Sequence, residues 1–103
     1  MQNGLRNSRT DFLVRAMLSV QTAEECYALL ADLFTIREVQ DMAQRMEVAK
    51  LLRDKTTYVE IASKTGMSTA TISRVNRALM YGAGGYELVL SRLEGEEEDQ
   101  KHD

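Results

Sequence analysis

Between residues 57 and 77 the chain reads T-Y-V-E-I-A-S-K-T-G-M-S-T-A-T-I-S-R-V-N-R. From Ser68 onward it crowds short hydroxyls and guanidinium groups together: Ser68, Thr69, Thr71, Ser73, Arg74 and Arg77, with the small Ala70 among them. The chemistry open to such a set is recognition. Small hydroxyl side chains let a helix sit deep in the DNA major groove, where they reach base edges or phosphates. Arginine and lysine neutralise the backbone. Tyr58 and Lys64, on the preceding segment, complete the candidate contact set. The groups for catalysis are sparse. His102 is the one histidine and Cys26 the one cysteine among 103 residues. No His/Cys metal cluster can be built in one chain, no disulfide can close within it, and a nucleophile–base relay would have to recruit that distant histidine. The sequence is therefore read as non-enzymatic, with no cofactor and no metal site.

These side chains need two helices and a sharp turn to share one face. A short helix opened by the T-x-x-E pair Thr57 and Glu60, a break at Thr65-Gly66-Met67, and a second helix from Thr69 to about Tyr81 make a helix-turn-helix over 57–80. Ala62 must be small where the second helix crosses, and Gly66 must supply the turn. Ser68 can cap the second helix. Ile61, Met67, Ile72 and Val75 fall where the two helices pack, which leaves the hydroxyls and Arg74 outside. The charge distribution agrees. The formal charge of −3 hides an acidic end, residues 94–103, at −5, and a basic middle, residues 45–77, at +4.

The rest of the chain is also helical in pattern. Phe12, Leu13, Ala16, Met17 and Val20 form one stripe. Thr22 and Glu25 open a second helix, whose apolar face carries Cys26, Leu29, Leu30 and Leu33, so that Cys26 is expected in the core. Thr35 and Glu38 open a long third helix from Ile36 to about Asp54, and Tyr86 to Leu93 reads as a short sixth. No stretch alternates as a strand would. The expectation is an all-α fold of six helices, one domain over residues 1–93, followed by an acidic disordered tail over 94–103. No apolar run approaches the length of a membrane span, and the N-terminus lacks a signal peptide's apolar stretch. A cytoplasmic location, with no membrane partner, is expected.

From Leu29 to Leu79 the chain resembles the bacterial Trp repressor family, in particular its small YerC/YecD-type branch. The resemblance is carried by L-L-A-D-L-F-T-I-R-E (29–38), Q-R-M-E-V-A-K-L-L-R-D (44–54) and E-I-A-S-K-T-G-M-S-T-A-T-I-S-R (60–74), of which A-T-I-S-R is the most specific. It implies an intertwined homodimer with helices one to three and six in a shared core and helices four and five as the DNA-reading head. It also implies an effector pocket, with Arg45 and Arg74 where the founding repressor contacts its amino-acid ligand. From the residues alone, Arg45 also reads as an ion-pair partner and Arg74 as a phosphate contact. The departures are specific. Val75 replaces a glycine and Ala78 a serine of the tryptophan-binding repressor. Asp32 and Phe34 replace two pocket leucines, and Val59 and Ala62 replace basic residues on the DNA side. A β-branched side chain at position 75 crowds the place where an indole would lie, so any small-molecule effector is expected not to be L-tryptophan.

Together these features read as a sequence-specific DNA-binding transcriptional regulator, a repressor acting as a homodimer on a near-palindromic double-stranded operator. The rival reading is a helical interaction and dimerisation module without functional DNA binding, and the loss of basic residues at 59 and 62 is its best support.

Overall fold

Most helices begin at a hydroxyl or amide cap. In the computed structural model, which describes residues 3–102 and the side chains of 4–97, a turn of 3-10 helix (Asn3–Leu5) precedes six α-helices: α1 (Ser8–Leu18), α2 (Ala23–Leu33), α3 (Ile36–Arg53), α4 (Tyr58–Thr65), α5 (Thr69–Tyr81) and α6 (Gly85–His102). No strand occurs among the described residues. The Asn7 side chain caps α1 by accepting from the Thr10 N–H at 2.9 Å. Thr22, Thr57 and Ser68 cap α2, α4 and α5 in the same way. Before α3, Thr35 and Glu38 form a reciprocal box: the Thr35 hydroxyl accepts from the Glu38 N–H at 3.1 Å, and the Glu38 carboxylate accepts from the Thr35 N–H at 2.9 Å. That backbone hydrogen bond holds the Glu38 carboxyl below the usual carboxylate range.

The helix ends are equally local. Gly66 closes α4 in the left-handed region (φ 72°). A Cβ at Gly82, after α5, would stand 2.3 Å from the Ala78 carbonyl oxygen. At the end of α3 a lysine does what glycine usually does. Lys55 adopts φ 68°, its N–H bonds to the Leu52 carbonyl and the Thr56 N–H to the Leu51 carbonyl, both at 3.0 Å. This is a Schellman closure.

The chain divides into two compact units, one ending at Asp41 and one beginning at Met42. In the first, α1 and α2 bury no residue. Phe12 is 69% exposed, and Leu18 and Tyr27 are likewise open. Cys26 is exposed, which corrects the expectation of a core thiol: the apolar stripe it belongs to is covered only in part, with Leu29 and Leu30 half-buried and Leu33 open.

The second unit holds the core. Val48 and Ala49 of α3, Ile61 of α4, Ile72 and Val75 of α5 and Leu90 of α6 are buried together. Met46, Leu51, Leu52, Ala62, Met67 and Tyr86 pack around them. Arg53 ties the end of α3 to α6. Its Nε and Nη2 each meet a Glu87 carboxylate oxygen at 3.0 Å, and Nη1 pairs with Glu94. The two carboxylates push the Arg53 guanidinium further up, and its hydrogen bonds hold the Glu87 carboxyl down. The pairs are exposed to solvent and screened accordingly.

α6 departs from the sequence expectation. Instead of stopping at Leu93, it runs to His102. Its later residues are largely glutamate, lysine and glutamine, which are good helix formers, and the Arg53 pairs hold its earlier turns. No helix among the described residues is long and apolar enough to cross a membrane.

Candidate nucleic-acid interface

α4 and α5 can hold a fixed mutual orientation only if the connection between them is short and fully bonded. Thr65 ensures this. Its hydroxyl donates to the Ile61 carbonyl at 2.7 Å and accepts from the Met67 N–H at 3.2 Å, so one side chain fastens the end of α4 to the start of the turn. Gly66 then reverses the chain, and its N–H bonds back to Ala62 at 2.9 Å. Ser68 opens α5 by accepting from the Thr71 N–H at 3.1 Å. The first turn of the second helix is thereby fixed relative to the last turn of the first.

α5 is two-faced. Ile72 and Val75 are buried in the core. On the other side Ala70, Ser73, Arg74, Arg77 and Tyr81 recur at helical spacing and form one exposed stripe. With Tyr58, the first residue of α4, and Asn76 they border an open cleft of about 450 Å³. Its lining takes Ala70 from the first turn of α5, Arg74 and Arg77 from the middle of the helix, and Tyr81, 83% exposed, from its end. The cleft is bordered by no carboxylate, and among the described residues none pairs with Lys64, Arg74 or Arg77. A cationic, hydroxyl-bearing and uncompensated concavity on a helix is suited to an anionic polymer.

Of the residues the sequence singles out, the cleft gathers Tyr58, Ala70, Ser73, Arg74 and Arg77. Lys64 and Thr69 are exposed on the same two helices but do not border it. Ser68 and Thr71 are engaged with each other, hydroxyl to hydroxyl at 3.1 Å, as well as through the cap. Sequence reasoning missed Asn76 and Tyr81. Tyr81 was findable, since it lies four residues beyond Arg77 and seven beyond Arg74.

Arg74 borders the α4–α5 cleft, whereas Arg45, exposed on α3, does not. A second, apolar hollow of about 430 Å³ is lined by Met46, Ala78, Ala83, Gly85, Tyr86 and Val89, and by neither arginine. Val75 is only 3% exposed and packs in the core with Ile61 and Ile72.

Known proteins share this sequence pattern and fold. Residues 8–94 match the family described as Trp repressor protein. The uncharacterized protein YerC of Bacillus subtilis (strain 168) is 51% identical over 89 residues, spanning 86% of each chain. A crystallised TrpR-like protein from Eubacterium eligens superposes with a TM-score of 0.85 at 49% identity, covering 89% of this chain and 95% of that one. A candidate Trp repressor from Staphylococcus aureus does so with the same TM-score at 40% identity, covering 91% and 94%.

Proposed function

The chain belongs to the Trp repressor family, and from that premise we propose that it is a sequence-specific DNA-binding transcriptional regulator that represses by occupying an operator. The observation that carries this reading is the α4–α5 cleft, where Ser73, Arg74 and Arg77 stand exposed on one stripe with no carboxylate at the rim. α5 enters the major groove, Thr69 and Ser73 face the base edges, and Lys64, Arg74 and Arg77 hold phosphates. A regulator of this kind works in the cytoplasm, where bacterial DNA lies.

The working unit is a homodimer. Support comes from α1 and α2, which bury nothing in one chain while presenting Phe12, Leu13, Val14, Met17 and Leu33. Apolar faces of this extent mark an interface, and a twofold dimer reads a near-palindromic site. L-tryptophan is not the effector. Where the founding repressor has glycine beside its ligand, this chain has a buried valine, and forcing extra volume into a packed site costs about 1–3 kcal/mol. Val75 instead holds the head ready for DNA without a ligand.

The test is a gel shift on fragments from the chain's own genome at stepped salt concentrations. Binding is expected without added L-tryptophan. Arg77→Ala should weaken all fragments alike and reduce the slope of log K against log salt by about 0.9 for each phosphate no longer neutralised. The absence of any shift at low salt would favour the rival, a dimerisation module without DNA binding.

A further inference from the structure

The head that would read DNA is poor in positive charge. Across α4 and α5 its cations are Lys64, Arg74 and Arg77. On α4, Val59 is 80% exposed and apolar, and Ala62 is half-buried against the core. What the cleft has in their place is phenol. Tyr58 borders it from α4 and Tyr81 from the last residue of α5, with Arg74 and Arg77 also on its rim. Neither hydroxyl is spent inside the protein: among the described residues, no hydrogen bond joins the Tyr58 or Tyr81 oxygen to another group in the way that Ser68 bonds Thr71. A phenol offers an apolar ring and a polar tip, and here two such tips border the same cleft as two guanidinium groups, free to donate to a ligand.

We propose that Tyr58 and Tyr81 are backbone contacts that donate hydrogen bonds to DNA phosphates beside Arg74 and Arg77, replacing ionic grip with uncharged grip. The proposal rests on the DNA-binding reading above and adds to it a contact residue, Tyr81, and a physical signature. A phenol is a neutral donor. A hydrogen bond from it to a phosphate adds affinity, but no cation is placed on the DNA and no counterion is released, so the salt dependence is untouched. The two kinds of contact therefore separate in one experiment. Phenylalanine is the substitution of choice at both positions, because it keeps the ring and removes only the donor.

The experiment measures binding of the full-length protein, wild type and the variants Tyr58→Phe, Tyr81→Phe and Arg77→Ala, to a genomic fragment bound by the wild type, across a range of salt. Circular dichroism confirms that each variant is folded. The tyrosine variants should bind about tenfold more weakly at every salt concentration, as expected for losing one hydrogen bond to a charged group. Their plots of log K against log salt should run parallel to the wild type, whereas the Arg77→Ala plot should be shallower. Tyrosine variants that bind like the wild type would overturn the proposal while leaving the DNA-binding reading in place. So would tyrosine variants with a changed slope. A wild type that binds no fragment would overturn both.

Discussion

Four hydroxyls open α5, and their positions give them different work. Ser68 accepts from the Thr71 N–H, and its hydroxyl bonds that of Thr71, so these two groups are consumed in starting the helix. Thr69 and Ser73 are exposed and remain available to a base edge. Two results follow. Ser68→Ala should cost about 1 kcal/mol of stability through removal of the cap, without changing which DNA is preferred. Thr69→Ala and Ser73→Ala should leave stability nearly unchanged but alter sequence preference by about 1–3 kcal/mol for each base edge no longer bonded. Selection from a random DNA pool with each variant measures this, and identical selected sequences for all three would place the reading face elsewhere. The capping role of Ser68 is legible from its place before the helix, but residue types alone do not separate Thr71 from Thr69 and Ser73. The separation comes from the helix phase and from which N–H groups lack partners in the first turn. Spacing places Tyr81 on the stripe of Arg74 and Arg77, but a tyrosine closing an amphipathic helix is ordinarily packing, and its 83% exposure is what marks it as something else.

Helix starts were more legible than helix ends. Thr22, Thr35, Thr57 and Ser68 are each followed three residues later by a group whose N–H the hydroxyl accepts, a signal contained in four consecutive residues. The end of α4 was equally plain, because Gly66 is the residue that left-handed geometry favours. The end of α3 was not, because Lys55 takes that conformation without being glycine. Its Cβ costs about 1–2 kcal/mol there, offset by the two closing hydrogen bonds. Lys55→Gly should therefore raise the unfolding free energy, by about 0.5–1 kcal/mol after the added flexibility of the unfolded chain is counted. Urea denaturation with an unchanged m-value would register it, and a loss of stability would show that the lysine side chain makes contacts that matter more than the backbone strain. The end of α6 differs from the sequence expectation because acidic composition reads as solvated tail, whereas helix propensity and the Arg53 pairs to Glu87 and Glu94 favour continuation.

For the whole molecule, the readable part is the head and the unreadable part is what covers the rest. The core of Val48, Ala49, Ile61, Ile72, Val75 and Leu90 closes within one chain, and the packing positions of α4 and α5 could be named from spacing. The stripe of α2 could be named too, yet Cys26 on it is exposed, since sequence periodicity reports that a face is apolar and not which chain buries it. The dimer and the DNA contact are therefore coupled claims: two heads, one per chain, on one duplex. Footprinting on a fragment bound by the purified protein tests both at once. Two protected major-groove segments are predicted, centred about one helical turn, roughly 34 Å, apart and related by an approximate inverted repeat. A single protected segment, or no protection at concentrations where the protein is dimeric by sedimentation, would contradict the account.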